Sequence, residues 1–338
     1  MAFPVEPKAG QDPLEFLIED PFGVRESIMP LLTVNRTTGF LTGLGTAFAA
    51  DPYGGFLTAQ HIFSEIDLTG PPPTDMEEIP IGMLNIGVVF GTVGLSKDLY
   101  APLTGMFGFV DTAPPDPFLA FSGASPSPTI IADCLRLTFD TQKAKNPERI
   151  RPLPLRCSGA TPKAGDRILA VGYPELGLMK KALPKDSLTY VEHMYGAIGE
   201  VVAVHPEGLG SSRPWPILEL RANWRSGMSG GPLFNEAGEI IGLVSSSIEP
   251  DENGPGVGFG LWFGGFPIQR VLPYLDALNP GFYRGFGVYR SAPWHLAGMY
   301  PDSDQAKVRA NALGDGYQVR FGSNRYGTDD FISDGPAL

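Results

Sequence analysis

Residues 227–232 read Gly-Met-Ser-Gly-Gly-Pro and stand between two apolar runs. A serine hydroxyl is a weak nucleophile at neutral pH. It becomes useful when a neighbouring base, most often an imidazole steadied by a carboxylate, takes its proton. Acyl transfer through it also needs donors aimed at the oxygen on which negative charge develops. Glycines near the serine let successive backbone N–H groups converge, because they tolerate dihedrals that other residues avoid. Gly227 and Ser229 are therefore the candidate oxyanion donors, and Gly230 and Gly231 let the chain leave without crowding a substrate. The alternative is a glycine-rich hairpin turn with an incidental serine. A base elsewhere in the chain decides between the two.

Four histidines are present, so the search for that base is exhaustive. His193, His205 and His295 lie in segments that say nothing beyond surface or loop histidine. His61 ends the run Gly-Gly-Phe-Leu-Thr-Ala-Gln-His (54–61), where an apolar strand meets a turn. An imidazole fixed by a buried strand end is well placed to act as a base.

The elements that must position these groups read as short strands. With 43 glycines and 34 prolines in 338 residues and no fixed period, the chain is rich in turns rather than collagen-like. Apolar runs of four to eight residues recur from about residue 30, spaced by Gly, Pro, Asp and Asn: 31–35, 45–50, 55–63, 86–91 and 133–139 in a first series, then 167–174, 198–204, 216–223, 239–246 and 256–262. That pattern predicts an all-β sandwich or barrel. Pro-rich stretches at 70–80 and 111–128 predict long surface loops in the first half, and 141–155 predicts the connection between halves. Apolar residues at Ile268, Val271, Leu272, Leu275 and Leu278 have helical spacing, although Pro273 interrupts it. Residues 280–338 show no usable period.

The formal net charge of −12 argues against nucleic acid as the main partner and against an anionic membrane surface. No basic-then-apolar leader and no eighteen-residue apolar stretch is visible, so neither a signal peptide nor a membrane span is expected. Two cysteines, Cys134 and Cys157, do not make a disulfide framework. A cytoplasmic setting is the default expectation.

The motifs together resemble the trypsin/chymotrypsin family, in its bacterial trypsin-like and HtrA-type branch. Thr58, Ala59 and His61 match the histidine motif. Gly227 to Pro232 match the nucleophile motif, and Asn235, Gly238 and the strand 239–246 match the turn and strand after it. The segment 165–174 resembles the entry to the family's second barrel. The resemblance covers roughly residues 35 to 270. It implies two six-stranded antiparallel β-barrels with the active site in the cleft between them, followed here by a short helix and tail. The expected division is an N-terminal segment (1–30), a first barrel with the histidine and aspartate (31–145), a second barrel with the serine (146–270) and a C-terminal extension (271–338). The implied chemistry needs no cofactor and no metal.

The resemblance also asks for an aspartate ahead of an alternating apolar strand between histidine and serine. Asp133 fits best, with Asp98 and Asp111 as alternatives; Cys134 and Arg136 depart from the family pattern. Met228 stands where digestive members carry an aspartate that a freed N-terminus locks in place, so activation by N-terminal trimming is not expected. Asn223 falls at the base of the primary pocket. It is uncharged and disfavours cleavage restricted to Lys or Arg, so a small or uncharged residue before the scissile bond is expected. Ser245, Ser246 and Ser247 fall on the edge where substrate adds as a strand, and 256–260 on the pocket's far wall. HtrA-type proteins carry a PDZ module after the barrels. Residues 271–338 show no clear carboxylate-binding loop of that kind and are a candidate contact for an activating protein partner. The resulting expectation is an intracellular serine endopeptidase acting on protein or peptide through an acyl-enzyme. The alternatives are a regulatory effector silent until a partner orders the oxyanion loop, and a non-catalytic binding module.

Overall fold

The structure is a computed structural model that describes residues 3–19, 24, 27–34, 41–63, 83–85, 92–95, 100–111, 129–139, 154–174, 188–191, 193–252, 254, 256–276, 278–279 and 281–334. The strands in chain order are β1 (Phe16–Leu17), β2 (Ile28–Val34), β3 (Leu41–Ala49), β4 (Gly55–Thr58), β5 (Met83–Asn85), β6 (Thr92–Leu95), β7 (Tyr100–Asp111), β8 (Thr129–Phe139), β9 (Arg167–Gly172) and β10 (Leu188–Val191). They continue as β11 (Tyr195–His205), β12 (Ile217–Arg221), β13 (Pro232–Phe234), β14 (Ile240–Ile248), β15 (Val257–Trp262), β16 (Phe282–Ser291), β17 (Trp294–Tyr300), β18 (Gln318–Arg325) and β19 (Phe331–Ser333). Among the described residues the α-helices are α1 (Ile268–Val271) and α2 (Ser303–Leu313).

Strands β2, β3, β4, β8, β7 and β5 close an antiparallel barrel. The second group runs β11-β12-β15-β14-β13-β9, and β9 pairs again with β11 over six residue pairs, so these pairings also return on themselves. β1 adds to β11 from outside the ring.

The near-continuous apolar runs have a physical reason. Side chains alternate along a strand, so a strand reads as unbroken hydrophobic sequence when both faces are buried. In β3, Ala47 and Ala49 face the first barrel's interior with Leu31, Phe56 and Leu137. Phe48 and the adjoining Ala50 face a second cluster that joins both barrels, with Leu169, Val171, Phe234 and Leu243. β9 repeats the pattern: Ile168 and Ala170 fill the second barrel, while Leu169 and Val171 face the shared cluster. One continuous cluster therefore joins the two barrels among the described residues.

The segment expected to be a helix from 268 onward keeps only the four residues of α1. Pro273 lacks the N–H that would continue it, and Leu278 is 86% exposed, off any buried stripe. Residues 282–333, expected as an aperiodic tail, form a four-stranded antiparallel sheet of order β17-β16-β18-β19 carrying α2. Val288, Ala306, Ala310 and Val319 give it a small core of its own. α2 starts at Asp302, whose carboxylate accepts from the Asp304 and Gln305 amides, and ends at Gly314. Its sequence signal was weak because the residues packed on the sheet are alanines. The sheet is tied to the first barrel by Tyr53, whose hydroxyl donates to the Arg284 carbonyl at 2.9 Å. It also meets the shared core through Tyr283. A cavity of about 250 Å³ lies at that seam, lined among others by Tyr53, Tyr283, Asn324 and Tyr326.

β7, a strand of 12 residues, was passed over because Pro and Gly break its alternation. The run 86–91 and the Pro-rich stretch 70–80 lie outside the described residues, as do Asp98, all of the stretch 111–128 but Asp111, and all of the connection 141–155 but its last two residues.

Candidate active site

His61 opens a single 3₁₀ turn, His61–Phe63, directly after β4. Asp133 lies in β8, the strand paired with β4. Strand pairing therefore carries both groups to one end of the first barrel. The Asp133 carboxylate accepts the His61 backbone N–H on Oδ1 at 2.9 Å and lies 2.8 Å from Nδ1 through Oδ2. An ionised carboxylate only accepts, so Nδ1 carries a proton, and in the neutral form of the ring the lone pair falls to Nε2. Asp133 is 3% exposed, whereas the His61 side chain is 44% exposed. Burial alone would raise the Asp133 pKa. The hydrogen bonds and positive charge offered by His61, with the Ser245 hydroxyl, outweigh it and hold the carboxyl below its ordinary value. Asp111 lies on β7, and β7 pairs with β8 at Thr129, four residues before Asp133.

Ser229 reaches the same place from the second barrel. Its hydroxyl donates to the Ser245 carbonyl at 3.4 Å, while the Ser245 hydroxyl donates to Asp133 Oδ2 at 2.5 Å. Ser245 is thus a bridge between Ser229 and the Asp133 carboxylate. Expected on the edge where substrate adds as a strand, it does lie in β14, and its buried side chain has the further task of serving the aspartate. A β-bulge between Val244 and Ser246 supplies the cause, since the extra residue re-aims its side chain. Close packing around two glycines completes the approach. A Cβ on Gly45 would lie 2.8 Å from the Ser229 carbonyl and 3.3 Å from Ile62, the neighbour of His61. A Cβ on Gly230 would lie 2.2 Å from both the Thr46 carbonyl and the Thr58 hydroxyl.

The loop before the serine is held in one conformation. The Met228 N–H donates to the Arg225 carbonyl at 3.1 Å, and Gly227 in that turn has φ +93°. A positive φ at the third position is the demand of a type II turn and explains the glycine. The Gly227 carbonyl accepts from Thr46 Oγ1 at 2.9 Å, and Thr46 N–H donates to the Ser229 carbonyl at 2.9 Å. Thr46 Oγ1 also accepts the Tyr173 N–H at 3.1 Å. One buried threonine of the first barrel therefore clamps the second barrel's loop. Sequence reading missed this role; the only signal was a hydroxyl in an otherwise apolar strand. From outside, Glu15 pairs with Arg225 at 2.7 Å. Among the described residues, the N–H groups of Gly227 and Ser229, on either side of Met228, have no hydrogen-bond partner.

The remaining expected residues divide. Asn223 is half-buried, and the neighbouring Trp224 is 1% exposed with its ring against Gly258. The Ser247 hydroxyl donates to the Trp224 carbonyl at 2.7 Å, and the Ser246 hydroxyl accepts from Arg213. His205 pairs with Glu219 at 2.9 Å, and His295 lies 2.8 Å from the Tyr317 hydroxyl. Neither adjoins the serine's partners. Cys134 and Cys157 are free and buried in the shared core, where burial pushes both thiols up, so neither is a ready nucleophile.

In sequence, part of the chain is similar to trypsin-like serine proteases. The sequence model of the family described as "Trypsin-like peptidase domain" matches residues 121–243, a span that holds Asp133 and Ser229 but not His61. A "Probable periplasmic serine endoprotease DegP-like" of Buchnera aphidicola is 27% identical over 146 residues, covering 43% of this chain and 26% of that protein. "Serine endoprotease DegS" of Escherichia coli strain K12 is 28% identical over 170 residues, covering 48% of this chain and 42% of that protein. The matched segments are thus under half the length of these curated relatives. A crystal structure of the Rv3671c protease from M. tuberculosis, active form, covers 76% of this chain and 84% of its own at 16% identity, with a TM-score of 0.41, too low to bear on function.

Proposed function

We propose that this chain is a serine endopeptidase of the trypsin-like, HtrA type, working through a Ser229–His61–Asp133 triad and an acyl-enzyme. The observation that carries the reading is the continuous set of contacts from His61 through Asp133 and Ser245 to Ser229, beside two unpartnered N–H groups. In this reaction Ser229 Oγ attacks the peptide carbonyl and His61 Nε2 accepts its proton. Asp133 fixes the tautomer and stabilises the imidazolium, while the N–H groups of Gly227 and Ser229 receive the oxyanion. His61 then gives the proton to the leaving amine, and water, activated by the same imidazole, releases the acyl group.

The alternative in which a partner must first order the oxyanion loop has less support, because that loop is already pinned by Thr46 and its donors are clear. An activating contact through residues 271–338 stays a proposal of lower rank. Uncharged Asn223, and Trp224 filling the space against Gly258, support a small or uncharged residue before the scissile bond. A cytoplasmic setting belongs to the same proposal, and fractionation of cells expressing the tagged chain tests it.

The test is hydrolysis of an unfolded protein substrate by the purified chain, with products read by mass spectrometry. Cleavage that disappears in Ser229→Ala is the expected result. Cleavage that survives in Ser229→Ala, or none under any condition, contradicts the reading.

A further inference from the structure

We propose that Arg213 is a specificity-determining residue that selects substrates with an acidic side chain at the second residue before the scissile bond. The inference rests on the protease reading above and names its substrate class.

β14 offers the argument. Its pairing with the nucleophile loop ends where Val244 N–H donates to the Gly231 carbonyl and Gly230 N–H donates to the Val244 carbonyl. From Ser246 to Ile248 it pairs on one side with β15, and no pairing of the other side is found among the described residues. A peptide that places its carbonyl at Ser229 can continue along this open edge as an added strand. The residue whose carbonyl is attacked lies beside Ser245, so the next one back falls opposite Ser246. Directly opposed residues of paired strands project to the same face. That face is the one Ser246 shares with its partner Phe259.

Arg213 occupies this face. Its guanidinium lies 4.1 Å over the Phe259 ring, and Nε and Nη2 donate to Ser246 Oγ at 3.3 and 3.1 Å. Stacking and the two donations hold the plane still, and the remaining N–H groups of the five-donor fork have no partner among the described residues. Arg136, Arg156, Arg167, Arg221 and Arg225 in the same barrels each pair with a carboxylate. Arg213 has no such pair among the described residues. Among the described arginines of the two barrels, a pre-ordered, half-buried cation without a carboxylate stands out. A substrate carboxylate at this position would complete the fork at little ordering cost. The fourth residue before the bond projects to the same face and feels the same charge more weakly.

The experiment separates this claim from the protease claim. Three fluorescent peptides of one sequence, with alanine before the scissile bond and Asp, Gln or Lys at the residue preceding it, are titrated by anisotropy into the full chain carrying Ser229→Ala. We expect the Asp peptide to bind about tenfold more tightly than the Gln peptide, with the Lys peptide weakest. The gap should close in Arg213→Gln, persist in part in Arg213→Lys, and reverse toward Lys in Arg213→Glu; thermal melts confirm that each variant is folded. Equal binding of all three peptides, an acid preference that persists in Arg213→Gln, or no binding of any peptide overturns the proposal. Acid-selective binding with no turnover by the chain that retains Ser229 sinks the protease reading alone.

Discussion

Two buried carboxylates of the first barrel, Asp133 and Asp51, are built alike and end differently. Asp51 accepts the Tyr53 and Gly55 amides on Oδ1 at 2.8 and 3.0 Å and Arg136 on Oδ2 at 2.8 Å. Asp133 accepts the His61 amide on one oxygen and a side-chain pair, His61 and Ser245, on the other. Both are desolvated, and both fix a turn by holding backbone donors. What differs is the far side of the pair. Arg136 is 15% exposed and permanently charged, while His61 is 44% exposed and presents a second nitrogen to the cleft. A buried anion against a buried cation can only hold structure. The same anion against an exposed, titratable ring can bias a proton transfer. Asp133 and Arg136 are three residues apart on one strand, so β8 contributes one partner to each arrangement.

The contrast can be broken by substitution. Asp133→Asn removes the tautomer control and should lower kcat by about 10⁴ while leaving a folded protein; a progress curve beside a thermal melt checks both. Asp51→Ala should do the opposite. It strands the Arg136 charge in a nearly dry site and should cost about 3–5 kcal/mol of stability in a urea titration. The folded fraction should still react at Ser229. If Asp51→Ala abolished activity in folded protein, the division of labour would be wrong.

Acid sharpens the comparison. The folded Asp133 carboxyl titrates below its ordinary range. Its contribution to stability is therefore fully present above the unfolded value of about 3.9 and is lost as pH falls through the lower folded value. Acid unfolding curves should show the protein losing stability below about pH 4 more steeply than Asp133→Asn does. Parallel curves would contradict the assigned hydrogen bonds. The smallest effect is expected at Thr46. Thr46→Val keeps the shape but deletes the hydroxyl that accepts the Tyr173 amide and donates to Gly227. A loss of about 1–3 kcal/mol is expected, with a larger fractional fall in kcat than in melting temperature if the clamp sets the oxyanion loop.

Much of this was legible before any coordinates. His61 and Ser229 announce themselves because a strand-end histidine and a glycine-wrapped serine are local patterns. Asp133 was readable only through the family's spacing, and the long intervening loops kept Asp98 and Asp111 in contention. Ser245 and Thr46 were not assignable, since their roles depend on a bulge and on the approach of one barrel to the other. Neither leaves a periodic trace. The extension after 270 was misjudged for a similar reason. The apolar spacing out to Leu278 ran past the helix's real end at Val271, before Pro273, and the Arg- and Gly-rich strands of the following sheet lack clean alternation. Arg136 looked like a blemish in the aspartate strand. Its partner, Asp51, is 85 positions away in the chain.

The central claim is that Ser229 is activated by the His61–Asp133 pair. The most direct measurement is the rate of covalent labelling by a fluorophosphonate, with the modified residue located by mass spectrometry, in the unaltered chain and in Asp133→Asn and Ser229→Ala. The account predicts rapid labelling at Ser229, none in Ser229→Ala, and labelling slowed by orders of magnitude in Asp133→Asn. Labelling at another residue, or at Ser229 with equal speed in Asp133→Asn, would contradict it.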